Sequence, residues 1–412
     1  MDRTSGSSTS TGSGTRATED RNKPDKPFQI TIRQSSALIA SSLIGVGVLT
    51  LPRRTAETAG ESGWIVAIGG TLLAMLALAI IIKLSNRHPG QTIVEYASRL
   101  LGPRRYPLIG RMVGFPLFLA YFLFWATSTA LVARTFGDVV VTTVLTRTPL
   151  EVVIATMLIT AFVFVMYDEE VVARVNEILL PIIVIPVLVI ALSSFQSARI
   201  DNLLPVFDGN WAGLMKGIFY TASSYLGFEI MTIFFADTEQ GSKRMTGGMV
   251  GVAIPGLIYV LIVISSISVF GVEEIRLLAW PTLELVKTSE VPGLILERLE
   301  SAFLGVWVAA VFTTVGNMYY ATAAIARRTF KLKSHRWIAL LLLPAYYWFS
   351  LVPQNGEMLL KYGRFISNGG MIIAYCVPIL LLLLSFAKGG RKREGQTQSG
   401  QALSDQKEAS TT

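Results

Sequence analysis

The sequence has few of the residue types that build soluble active sites and disulfide frameworks. Its 412 residues include one cysteine, two histidines and only 16% charged residues. Soluble domains average about 25% charged residues, so the composition argues against a water-soluble enzyme. A single cysteine, Cys376, excludes an internal disulfide framework. Because His88 and His335 both lie in basic loops, we predict no metal site and no cofactor.

Apolar residues, in contrast, make up 51% of the chain and fall into long runs. A helix that crosses a bilayer needs about 20 apolar residues. We therefore predict an all-α polytopic membrane protein, with a membrane domain over 29–388. Its ten apolar segments lie at approximately 30–51, 63–84, 107–133, 149–167, 171–194, 212–236, 247–270, 302–325, 337–353 and 366–387.

Polar tails flank the predicted membrane domain. Between Thr4 and Thr18, 13 of 15 residues are Ser, Thr or Gly. Such a segment cannot bury enough apolar area to offset the entropy of ordering, so we predict a disordered tail over 1–28. No apolar stretch with a cleavage site follows, so this tail is not a signal peptide. The tail at 389–412 is basic and polar.

The net charge of +8 is best explained by orientation in a membrane. If the N-terminus is cytoplasmic, the inner segments hold 25 of the 36 Lys and Arg residues and the outer segments hold 11. Cytoplasmic loops carry such an excess, so we predict that both termini are cytoplasmic. No basic stripe interleaved with aromatic residues is present, which argues against nucleic-acid binding.

Two of the ten segments contain residues that interrupt an apolar helix. The first holds two glycines in "IGVGVLTLP" (44–52), and the sixth holds small polar residues, a glycine and a carboxylate in "TASSYLGFE" (221–229). Glycine costs about 1 kcal/mol in a helix interior. A charged side chain at mid-membrane costs about 2.5–3.5 kcal/mol, so it normally faces a cavity or a partner.

The two interrupted segments lie five apart, where two five-span repeats would place equivalent positions. Interrupted helices in corresponding places are typical of a transporter substrate site, and their free N–H groups suit a carboxylate. Close packing through small residues is the alternative for the first break. For Glu229, a structural bond to a neighbouring helix stays open. The predicted ligand-binding residues here are Gly45, Val46, Gly47, Ser223, Ser224, Tyr225, Gly227 and Glu229.

Other segments add candidate residues to this pocket. Thr314 and Asn317 in the eighth segment are three apart and share a helix face, although hydrogen bonding between helices would also explain them. Tyr121 in the third segment is a further candidate, with simple packing as its alternative. Trp280 precedes a helix-like run at 283–288, which we interpret as a gate over the pocket.

Several stretches resemble known membrane proteins. "IGVGVL" (44–49) and "GFE" (227–229) resemble the interrupted first and sixth helices of the amino acid–polyamine–organocation transporters. A closer resemblance is to the B subunits of nutrient germinant receptors in spore-forming bacteria. The stretches that carry it are "IGVGVLTLPR" (44–53), "HPGQTIVEYASRLLG" (88–102), "EVVARVNEILLPI" (170–182), "NLLPVFDGNWAGLMKG" (202–217) and "WPTLELVKTSEVPGLILERLESAF" (280–303).

This resemblance implies a fold and a function. It implies a five-plus-five inverted repeat of LeuT-like fold, with a nutrient pocket between interrupted helices 1 and 6. It further implies a non-enzymatic subunit that senses a small nutrient such as an amino acid and triggers germination. Assembly with A and C subunits in the spore inner membrane is also implied, whereas the identity of the ligand is not.

Three other functions remain as alternatives. The first is a proton-coupled amino acid transporter with Glu229 as the proton carrier. The second is an ion or water conduit that opens in the assembled receptor. An intramembrane enzyme is the least favoured, because the segments contain no Ser/His/Asp arrangement and no pair of catalytic carboxylates.

Overall fold

The structure, a computed structural model, describes residues 29–103, 107–207, 209–288 and 299–388, and this part of the chain is predominantly helical. Both predicted tails, 1–28 and 389–412, lie outside the described residues. Within the described ranges the helices are α1 (Ile32–Leu43), α2 (Gly47–Ala59), α3 (Gly63–Arg87), α4 (Ile93–Leu101), α5 (Pro107–Thr143), α6 (Leu150–Val165), α7 (Glu169–Ser193), α8 (Trp211–Ala222), α9 (Met231–Phe234), α10 (Lys243–Leu277), α11 (Pro281–Thr288), α12 (Leu299–Phe330), α13 (Arg336–Ser350) and α14 (Gly356–Met371).

The two segments that were predicted to be interrupted are each divided between two helices, which confirms the prediction. The first comprises α1 and α2, and α2 continues to Ala59, beyond the predicted end at 51. The sixth comprises α8 and the short α9, with 3₁₀ turns at Ser223–Tyr225 and Phe228–Ile230 between them. Seven of the other eight segments each correspond to one helix, although α5 extends ten residues past the predicted end at 133. The tenth, 366–387, comprises the end of α14, the π-helical turn Ile372–Cys376 and a further helical stretch that continues to residue 388.

Six helical stretches among the described residues are long and apolar enough to cross a membrane. The helix α6 is apolar but has only 16 residues. The six long stretches support an integral membrane protein, whereas the count of ten spans and the inverted repeat stay predictions. The six are Gly47–Arg87, Leu108–Thr143, Glu169–Ser197, Lys243–Leu277, Ser301–Phe330 and Gly356–Lys388.

The interrupted helices lie at the centre of the bundle. Helix α1 packs against α7, α10 and α12, and α8 packs against α2 and α3. Residues Ala37 to Ala40 of α1 are at most 2% exposed. Apolar side chains such as Leu72 and Phe365 instead face outward, 61% and 79% exposed, as expected of a surface that lipid covers. The core therefore places both breaks away from the lipid-facing surface.

One end of the two interrupted helices is tied together by backbone hydrogen bonds. Ile30, just before α1, donates to the carbonyl of Asp237 at 2.8 Å, and Glu239 donates to the carbonyl of Ile30 at 2.9 Å. These bonds accompany an isolated parallel bridge between Ile30 and Thr238. The start of α1 is thus held beside the chain that follows α9, and the two breaks lie side by side.

Candidate ligand-binding site

The carbonyl groups that the first break leaves without helical donors are satisfied by other helices. The hydroxyl of Tyr259 on α10 donates to the carbonyl of Leu43 at 2.5 Å. The indole N–H of Trp307 on α12 donates to the carbonyl of Gly45 at 3.3 Å. Unwound backbone at membrane depth is tolerated only where protein or a water-filled cavity meets its polar groups. Side chains from α10 and α12 therefore stabilise the break.

Gly45 is needed because the backbone approaches α12 closely. A Cβ atom at this position would lie 2.8 Å from the hydroxyl oxygen of Thr314. That hydroxyl donates to the carbonyl of Ser41 at 3.0 Å. The structure thus brings together two predicted site residues, Gly45 and Thr314, with no room for a side chain at position 45.

The second break is organised around the carboxylate of Glu229. Gly227 adopts φ +134°, in the left-handed region. Its backbone N–H donates to one carboxylate oxygen of Glu229 at 2.7 Å, and the indole N–H of Trp125 on α5 donates to the other at 3.1 Å. Glu229 is fully buried. Its carboxylate accordingly holds the shape of the break and joins it to α5.

Tyr225 and Tyr121 are fully buried and hydrogen-bonded between helices. The hydroxyl of Tyr225 shares a hydrogen bond of 2.6 Å with the hydroxyl of Thr71 on α3. The hydroxyl of Tyr121 donates to the carbonyl of Ile373 at 3.0 Å. Ile373 lies in the π-helical turn Ile372–Cys376, and Pro378, five residues on, has no N–H to donate. Tyr121 supplies a donor there.

Asn317 joins three helices. Its side-chain amide and that of Asn176 on α7 donate to each other's oxygen, both at 2.8 Å. Asn317 also donates to the hydroxyl of Ser42 on α1 at 2.9 Å. Asn176 was not among the predicted site residues, although an amide within the apolar segment 171–194 indicates that a polar partner is needed.

A cavity of about 170 Å³ lies between the two breaks. Of the predicted site residues, Val46, Gly47, Ser223 and Ser224 line it. The other seven occupy the packed positions around the breaks, and their part in ligand binding stays a prediction. They are Gly45, Tyr121, Tyr225, Gly227, Glu229, Thr314 and Asn317.

Polar residues that sequence reasoning missed also line the cavity. Thr50 and Arg54 on α2 lie three and seven residues beyond Gly47, and Ser128 and Thr135 on α5 are seven apart. These spacings place each set on one helix face. The pattern on α2 was missed because the first segment was ended at residue 51, before Arg54.

The helix α11 lies beside the cavity, where a helix-like run was predicted. Trp280, just before α11, lines the cavity. The hydroxyl of Thr282 donates to the carbonyl of Val48 at 2.7 Å. That carbonyl would normally accept from the residue four positions on, but residue 52 is a proline without an N–H. Thr282 replaces this missing donor and ties α11 to α2.

The fold is that of known transporters. One structure, of Mhp1, a nucleobase-cation-symport-1 family transporter in a closed conformation with bromovinylhydantoin bound, matches with a TM-score of 0.58 at 14% identity. The match covers 84% of this chain and 78% of that one. MhsT in complex with L-phenylalanine also matches with a TM-score of 0.58 at 14% identity, over 86% of this chain and 97% of that one. The chain is an integral membrane protein of transporter-like, LeuT-like fold.

Sequence comparison defines its family within that class. The family model described as "Spore germination protein" matches residues 29–358. Spore germination protein YndE of Bacillus subtilis (strain 168) is 32% identical over 366 residues, 88% of this chain and 98% of YndE. Spore germination protein B2 of the same organism is 26% identical over 363 residues, 87% of this chain and 95% of B2. The chain belongs to the spore germination protein family, which is not a family of enzymes.

Proposed function

We propose that this protein is the nutrient-sensing membrane subunit of a spore germinant receptor. It binds a small nutrient in the cavity between the two breaks and passes a conformational change to A and C subunits in the spore inner membrane. Both termini lie in the cytoplasm in this arrangement. The observation that carries the proposal is the cavity between two interrupted helices in a chain of the spore germination family.

The elements around the cavity suit a conformational signal. The start of α2, the 3₁₀ turn Ser223–Tyr225 after α8 and Trp280 before α11 all meet there, so a ligand contacts three elements at once. A ligand shifts a conformational equilibrium only if it binds one state more tightly than the other. The closing of these elements around a nutrient supplies that difference in affinity.

A substitution that fills the cavity with a side chain tests the proposal. Ser128 lines the cavity from α5, and Ser128→Phe places a phenyl ring in the space for a ligand. A ligand at 100 times its Kd stabilises a protein by about 2.7 kcal/mol. In thermal-shift titrations with amino acids, sugars and nucleosides, we expect that one nutrient raises the Tm of the wild type. The same nutrient should leave the Tm of Ser128→Phe unchanged.

The matched control is Thr127→Phe, because Thr127 lies on the same helix but not against the cavity. This variant should respond to the nutrient as the wild type does. Spores that carry Ser128→Phe should release dipicolinate normally with unrelated nutrients and fail with that one. An unchanged thermal response in Ser128→Phe, or normal release with every nutrient, contradicts the proposal.

A proton-coupled amino acid transporter is the second candidate, since two transporters match the fold. Uptake of the labelled nutrient into proteoliposomes distinguishes the two functions. Under the receptor proposal, the purified protein binds the nutrient without concentrating it. Accumulation driven by a proton gradient and abolished by Ser128→Phe favours the transporter instead.

A further inference from the structure

The cavity contains a cationic side chain that forms no ion pair within the part of the chain that the structure describes. Arg54 lines it two helical turns beyond Gly47 on α2. Within the described ranges, its guanidinium group forms no ion pair with a carboxylate. The adjacent Arg53 forms one instead, with Glu57 at 2.8 Å. Of two consecutive arginines, one is neutralised in an ion pair on the helix surface and the other faces the cavity.

The surroundings of Arg54 do not neutralise it. The charged side chains that influence it are Glu57, which attracts it, and Arg364 on α14, which repels it. Glu57 is already shared with Arg53. No Asp or Glu is among the described residues that line the cavity. A cation in a partly buried site is costly unless an anion or several acceptors meet it, so the cavity favours a ligand with a negative charge.

Two further groups in the cavity offer hydrogen bonds to an anion. The hydroxyl oxygen of Ser224 is buried and has no hydrogen-bond partner among the described residues. Helix α2 begins at Gly47 with no side-chain cap on its first N–H groups, and these carry the positive end of the helix dipole. Phe124, Leu226 and Leu360 supply an apolar wall.

We propose that Arg54 binds the carboxylate of the ligand, and that the cavity selects small carboxylates with a compact apolar body and no positive charge. This inference rests on the proposed function, because it specifies the chemistry of the same site. A guanidinium group presents two parallel N–H donors to a carboxylate. A ligand ammonium group would find no acidic side chain in the cavity.

Matched ligand sets test this selection. For each of alanine, valine and leucine, three compounds differ in charge. The N-acetyl derivative is an anion, the free amino acid is a zwitterion, and the carboxamide with a free amino group is a cation. Each compound is titrated against the purified full-length protein in a thermal-shift assay. We expect the N-acetyl anions to raise the Tm at the lowest concentrations, the zwitterions to require more, and the amides to have no effect.

Variants at Arg54 provide the second arm. Arg54→Gln should raise the half-maximal concentration of the best carboxylate about 10- to 100-fold, the usual range for a hydrogen-bonded charged partner. Arg54→Lys should cost less, because a lysine keeps the charge but loses the two-pronged geometry. As the control, Arg33→Gln removes an exposed arginine of α1 that does not line the cavity, and it should change that concentration by less than about twofold. The melting temperatures of the ligand-free variants show whether each one folds.

Three outcomes overturn the inference. If an amide or a neutral sugar binds and Ser128→Phe abolishes its binding, the pocket stands but its preference for anions is wrong. If a carboxylate binds with equal strength to Arg54→Gln and to the wild type, Arg54 is not its partner. If none of the carboxylates, sugars or nucleosides binds, the proposed function fails and the inference fails with it.

Discussion

At the scale of single residues, the second break depends on Gly227 and Glu229. The left-handed backbone of Gly227 turns its N–H toward the carboxylate of Glu229, two residues on. The same carboxylate accepts from Trp125. A buried carboxyl group that is hydrogen-bonded in this way stabilises the local structure. A proton-carrying role for Glu229 would have to break these bonds, and it belongs to the transporter alternative.

Gly227→Ala should destabilise the protein by about 1–3 kcal/mol, because a side chain at φ +134° is strained. The added Cβ would also lie 2.7 Å from the carbonyl oxygen of Ser42. Thermal unfolding in detergent measures the effect. Gly305→Ala is the control: Gly305 lies inside α12 with nothing within 4 Å of an added Cβ, so its Tm should stay equal or rise. Equal Tm values for Gly227→Ala and the wild type would contradict this account.

At the scale of helices, two prolines each leave a carbonyl group without a helical N–H donor, and a side chain from another element donates to it instead. Pro52 leaves the carbonyl of Val48 without its helical donor, and Thr282 supplies one. Near the π-helical turn after α14, Tyr121 supplies a donor to Ile373 beside Pro378. These carbonyl groups are therefore bonded to neighbouring elements, and the bond from Thr282 ties α11 to α2.

Thr282→Val should loosen the contact between α11 and α2. The variant keeps the shape of the side chain and leaves the buried carbonyl of Val48 unpaired, at a cost of about 1 kcal/mol or more. We expect the amides of α11 to exchange hydrogen about fivefold faster or more. In the control Thr288→Val, the hydroxyl that is lost donates to the carbonyl of Leu285 in its own helix. Unchanged exchange in Thr282→Val would show that the bond does not hold α11.

At the scale of the whole molecule, an ionic cluster joins elements that are distant in sequence. The guanidinium group of Arg328, near the end of α12, contacts Glu95 on α4 at 3.5 Å and Asp237 after α9 at 3.4 Å. The carbonyl of Arg328 accepts from Arg111 on α5 at 2.9 Å. This cluster lies beside the bridge between Ile30 and Thr238, so it fastens the same end of the bundle.

The cluster predicts a pH dependence of stability. Burial raises the pKa of Asp237, while Arg328 opposes that rise. The folded state therefore binds a proton more readily than the unfolded state, and the resulting stabilisation is present at acid pH and lost as the pH rises through the raised pKa. The Tm of Asp237→Asn relative to the wild type should thus increase from pH 4 to pH 7.

Asp201→Asn serves as the control for this experiment, because Asp201 is exposed and lies outside the cluster. Its Tm relative to the wild type should vary less over the same pH range. If the Tm of Asp237→Asn relative to the wild type stays constant or falls as the pH rises from 4 to 7, the effect of burial on Asp237 is contradicted.

The sequence by itself determined the membrane character, the helical segments and the two breaks. These follow from local properties: the length of apolar runs and the presence of glycine and polar residues within them. The sequence also identified four residues that line the cavity, because they lie at the breaks: Val46, Gly47, Ser223 and Ser224. Only the tertiary structure decided which side chains meet across helices. The pairing of Asn176 with Asn317, the bond from Thr282 to Val48 and the cavity position of Arg54 depend on contacts between residues far apart in the chain, and local sequence patterns do not record such contacts.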